Sequence, residues 1–178
     1  MNKQGENEIN GDKRSKNEQL FKCGQLLERQ IIRLWWLETD CQVFLQFCEA
    51  KIETGRLGSL VHQLLLGAEY NIRRLRKMCE VLSIEPLYFQ FDFKEEIVQL
   101  MQFSKLALHD FVIEEMVSHW NLTLALQCLI HYKLVYYESM AGWCKYLKLL
   151  GIQELLEDSL DEYLHLDLML KLLTESWE

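Results

Sequence analysis

One proline in 178 residues is the feature that most limits what this chain can become. Pro86 stands near the middle, and the glycines that could break a helix fall at Gly55 and Gly58 and again at Gly151. Between those points apolar residues return at i, i+3, i+4 and i+7, the period of an amphipathic helix, and the alternating pattern of a half-buried strand is missing. The pattern predicts an all-α fold.

Helix one is expected from about Gln25 to Thr54, with Ile31, Leu34, Cys41, Leu45 and Cys48 on its inner stripe. Helix two follows the Gly55 to Gly58 break, presents Leu57, Val61, Leu64, Ala68, Leu75, Cys79 and Leu82 inward, and is expected to stop at Pro86. The stretch "EPLYFQFDF" reads as a packed crossover loop and Lys94 to Leu108 as a short crossover helix. Helix three, about Glu114 to Leu149, turns Thr123, Leu126, Ile130, Leu134, Tyr137, Ala141 and Cys144 inward and is closed by Gly151. Helix four, about Ile152 to Ser176, turns Leu156, Leu160, Tyr163, Leu166, Leu170 and Leu173 inward. Two short hairpins joined by one long connection close an antiparallel four-helix bundle in the ferritin-like way. The bundle domain is expected over 23–178, preceded by a polar, disordered tail at 1–22.

Acidic residues number 27 against 19 basic ones, spread along the chain, so a net charge of −8 offers no footprint for nucleic acid. A protein or a small cation is the better-matched partner. Arg33, Glu38, Lys133, Asp167 and Lys171 interrupt every apolar run before it reaches a bilayer-spanning length. Six cysteines without a CxxC pair read as reduced core thiols, and together these features predict a cytoplasmic protein. Helix one carries a second apolar stripe, Ile32, Trp36, Val43 and Phe47, which must be covered by the crossover helix or by a second subunit. A homodimer through an isologous apolar contact is expected.

Glu162 and His165 make a Glu-x-x-His on helix four, the spacing that supplies ligands in diiron carboxylate bundles. The helical wheel weakens that reading. With Tyr163 facing inward, Glu162 lies about 100° to one side and His165 about 160° away. There is no glycine-rich phosphate loop, no Gly-x-Ser-x-Gly and no His-Glu-x-x-His, and a non-enzymatic role is favoured.

The segment "HYKLVYYESMAGWCKYLKLLGIQELLEDSLDEYLHLD", supported by "LETD" around Glu38 and "RRL" ending at Leu75, resembles the YciE/YciF group of bacterial ferritin-like proteins, which carries a domain of unknown function. The resemblance runs from about residue 25 to the C-terminus. It implies a ferritin-like bundle, a carboxylate-rich dinuclear metal site between the helices and a link to stress responses.

Carried over position by position, the resemblance keeps only part of that site. Glu38 stands at the family's glutamate on helix one, while Leu64, Gly67 and Asn71 occupy its helix-two positions. On helix three Ile130 and Lys133 replace two glutamates around His131, and on helix four the paired glutamates fall on Glu162 and Tyr163, with the later acid at Asp167. The candidate metal residues are therefore Glu38, His131, Glu162, His165 and Asp167. A dinuclear centre in such a bundle uses about six ligands, typically four carboxylates and two histidines. Glu38 and Asp167 alone at inward positions are too few, and a degenerate site without a cofactor is expected. The alternative is an iron or manganese carrier or oxidase that uses Glu38, His131, Glu162 and His165 in an altered arrangement. Without a metal, a buried Glu38 needs partners, for which Asn71, Tyr137, Tyr163 and Asp167 are the candidates. Lys133 is placed to pair with Glu38 or Asp167.

Overall fold

The computed structural model describes residues 4–52, 55–85, 99, 101–102 and 115–176, with the side chains at 4–17, 115, 116 and 118 set aside. Among the described residues there are four long helices and no strand: α1 (Gln4–Glu49), α2 (Arg56–Leu82), α3 (Glu115–Leu147) and α4 (Leu150–Glu175). Gln42 of α1 donates to Glu69 of α2, and Glu49 meets His62, so the two helices run antiparallel. His131 with Asp167 and Lys133 with Tyr163 give the same register for α3 and α4. Each hairpin packs on the other, α2 against α4 and α1 against α3. The four therefore enclose one core in the order α1, α2, α4, α3.

The inner stripes explain that closure. Ile31, Leu34 and Leu45 of α1, Val61 and Leu75 of α2 and Leu170 of α4 are all buried in one cluster. Burying each such side chain contributes about 1.5–3 kcal/mol, which offsets the cost of ordering the chain.

Several boundaries differ from expectation. α1 is helical from Gln4, upstream of the expected start, and its last residue is Glu49. The added turns contain three Glu, three Lys and two Gln, which tolerate a helix once a packed segment has nucleated it, alongside three Gly and three Asn. α2 ends at Ser83, whose φ of 55° lies in the left-handed region, with Ile84 N–H donating to Cys79 O at 2.8 Å. That is a Schellman closure made without glycine. Lys148, at φ 60°, closes α3 likewise, with Leu149 N–H on Cys144 O at 2.9 Å. Gly151, expected to be the stop, lies in the first turn of α4. Pro86, the crossover loop and most of the Lys94 to Leu108 helix lie outside the described residues. Gln99, Met101 and Gln102 are helical, and Met101 packs in the core.

The second stripe of α1 divides. Ile32 is buried and Phe47 half-buried, while Trp36 and Val43 are exposed. On α3, Lys133 faces inward and Leu134 is only half-buried, the reverse of the expected placing of Leu134. Four cysteines are buried thiols as expected, but Cys128 is exposed and Cys23 half-exposed, so the core reading does not hold for those two. No helix among the described residues is long and apolar enough to cross a membrane.

Candidate functional site

Glu38 comes from the middle of the inner stripe of α1, between Leu34 and Cys41, and its side chain has no solvent exposure. A carboxylate there must be compensated or take up a proton. Four strong contacts compensate it. Lys133 Nζ donates to Oε2 at 2.8 Å, and the Tyr137 hydroxyl donates to Oε1 at 2.9 Å. The Tyr163 hydroxyl lies 2.8 Å from Oε1 and 2.7 Å from Oε2, a donor shared between both oxygens.

Lys133 is 2% exposed. It follows Ile130 by three residues and precedes Tyr137 by four, so helical geometry alone puts it on the buried stripe of α3. Its ammonium also donates to the Tyr163 hydroxyl at 2.9 Å and lies 4.7 Å from the centre of the Tyr163 ring. The two tyrosine rings pack at 5.7 Å between centroids. Since α1 and α4 occupy opposite corners of the bundle, the Glu38–Tyr163 bond crosses its axis. One carboxylate thus ties three helices together.

Electrostatics follow from the burial. Burial pulls the Lys133 ammonium toward its neutral form, but the Cys41 sulfur and the Glu38 carboxylate more than reverse this, and the group is held above its ordinary range. Tyr137 and Tyr163 are pushed well above the usual phenol range by burial and then by the adjacent Glu38 charge. Burial pushes the Cys41 thiol up to about 12, against the pull of Lys133. At neutral pH the Cys41 thiol and the two phenols therefore keep their protons around the Lys133–Glu38 ion pair.

The remaining candidates lie elsewhere. Glu162 receives both guanidinium nitrogens of Arg74, at 2.8 and 2.7 Å, and Arg74 also donates to Asn71 Oδ1 at 2.8 Å. Asp167 is buried, but it turns to the α3–α4 flank, with Oδ1 at 2.9 Å from His131 Nε2 and Oδ2 bonded to Lys171. His165 is exposed. The five candidate metal residues are thus split among the axis, an α2–α4 ion pair, the flank and the surface. Of the four expected partners of Glu38, Tyr137 and Tyr163 bond it, whereas Asn71 and Asp167 bond other residues. Arg74 and Lys171 were not anticipated as ion-pair partners; Arg74 lies one turn beyond Asn71, which is the signal that could have exposed its link to that residue.

The family resemblance implies a dinuclear metal centre, and the donor set here does not fit one. The axis offers one carboxylate, already bound to an ammonium, beside two phenols and a thiol that keep their protons. Ile130 and Leu64 are buried at two of the family's ligand positions, and at a third a Cβ on Gly67 would meet Leu166 at 3.7 Å. Among the described residues no group of three or more His, Cys, Asp or Glu is placed to hold a metal ion.

The solved structure of the Escherichia coli stress protein YciF is similar to this fold with a TM-score of 0.77, at 18% identity over 85% of this chain and 93% of that one. YcfI of Rhodopseudomonas palustris, provisionally called a structural protein, is similar with a TM-score of 0.74, at 17% identity over 84% of this chain and 92% of that one. A search of curated protein sequences finds no match. The model of a domain of unknown function, DUF892, matches residues 25–177, and the chain belongs to that family.

Proposed function

We propose that this chain is a ferritin-like bundle protein that works without a metal and without catalysis, in a structural or protein-interaction role connected with stress. The observation that carries the reading is the buried Lys133–Glu38 pair, 2.8 Å apart on the bundle axis. A dinuclear centre needs several anions around two dications; this interior supplies one anion and balances it with a side-chain cation. Likeness in fold to a stress protein and to a protein called structural supports the broader role.

The same reading has the protein act in the cytoplasm as a homodimer. Trp36 and Val43 on α1, Leu124 and Val135 on α3, and Leu164, Leu168 and Leu172 on α4 leave apolar surface that a second copy would cover. Addition of ferrous iron in air tests the metal-free reading: the protein should not raise the rate of iron oxidation above that of buffer. Faster colour formation would contradict it. Sedimentation at micromolar concentration should give twice the chain mass, and a monomer would remove the dimer.

A further inference from the structure

Around Lys133 Nζ the core places a carboxylate oxygen of Glu38 at 2.8 Å, the Tyr163 hydroxyl at 2.9 Å and the face of the Tyr163 ring at 4.7 Å. Cys41, one turn after Glu38 and fully buried, adds a sulfur on the same side. These groups come from α1 and α4, while the cation itself rides on α3. The arrangement solvates a positive charge with protein atoms much as a coordination shell does, but this cation is tethered by its own side chain. It cannot exchange with the medium.

A divalent ion seeking the Glu38 carboxylate would have to lie beside the ammonium or displace it. Like charges that close together repel strongly at the effective dielectric of a protein. Displacement would strip the buried ammonium of its partners, which is costly away from solvent. We propose that Lys133 is a built-in cation that closes this interior to divalent metals and makes the bundle's integrity independent of metal supply. Exchanging this one residue for a carboxylate would open the same position to a dication. The inference rests on the metal-free reading, and its test separates the two.

Wild-type protein and the variants K133E and K133M, all stripped with chelator and dialysed, are titrated with manganese and zinc chloride and followed by calorimetry and thermal unfolding. The wild type should give no binding at the axis and the same Tm with metal or with chelator. K133E should bind one dication per chain, with Tm rising by roughly 5–10 °C at a metal concentration a hundredfold above Kd. K133M, which keeps one carboxylate and adds none, should show no such rise. If K133E does not fold when stripped, its refolding yield with and without metal replaces the Tm. Metal-dependent recovery supports the proposal, and failure in both conditions counts against it. A metal-free wild type with an unresponsive K133E overturns the inference and leaves the metal-free reading standing. Two ions per wild-type chain overturn both.

Discussion

Two groups of charged residues start from neighbouring positions on α3, Lys133 reaching α1 and His131 reaching α4, and water treats them differently. On the axis, Glu38 and Lys133 are almost wholly enclosed and share the Tyr163 hydroxyl, and Tyr137 donates to Glu38 as well. On the flank, Asp167 is 8% exposed, but its partners His131 and Lys171 are 55% and 51% exposed. The same kind of pairing is strong but costly to desolvate in the first place, and weak and screened in the second. Axial charges should therefore control folding, and flank charges should hardly matter.

Removing one axial charge should have the largest effect on folding. Glu38→Ala or Lys133→Met should each lose about 3–5 kcal/mol of stability in urea unfolding, because the partner is left as an uncompensated buried ion. Lys133→Met combined with Glu38→Gln should recover much of that loss. A loss below about 1 kcal/mol for both single variants would show that the pair is reached by water.

Alkaline pH sharpens the contrast. Folded-state values are raised for Cys41, Lys133, Tyr137 and Tyr163, so each contributes stability that is complete below its unfolded value and is lost as pH rises. The Cys41 share should disappear between pH 9.0 and about 12, followed by the lysine and tyrosine shares above roughly pH 10. Circular dichroism against pH should show the wild type losing a few kcal/mol across that window. Cys41→Ala should flatten its early part.

The tyrosines rank within the axial group. Tyr163 bonds both Glu38 and Lys133, whereas Tyr137 bonds Glu38 alone. Tyr163→Phe should cost about 1.5–3 kcal/mol and Tyr137→Phe less, both read from denaturant midpoints. The reverse order would mean that the Tyr137 bond carries the carboxylate. The smallest effect belongs to the flank, where Asp167→Asn or His131→Ala should change stability by about 1 kcal/mol or less. Added salt should shrink even that difference, whereas the axial variants should respond little.

Much of this was legible in the sequence. Helical period and break residues give the four helices, and the stripe through Ile130 and Tyr137 already contains Lys133. The missing carboxylates around Ile130, Lys133, Leu64 and Gly67 could also be read position by position. Helix ends were less legible, because Ser83 and Lys148 take left-handed conformations that their side chains do not announce. Sequence leaves Lys133 a choice between Glu38 and Asp167, since both are acids at inward positions. Packing decided: Asp167 turns to the flank toward His131, and Glu38 stays on the axis. The Arg74–Glu162 pair joins residues 88 positions apart and leaves no local trace in the chain.

The central claim is that a lysine side chain occupies the cation position of this bundle. Elemental analysis of wild-type protein, purified without chelator from cells supplied with iron and manganese, tests it most directly. Far less than one equivalent of either metal per chain is expected. About two equivalents, retained through gel filtration, would contradict it.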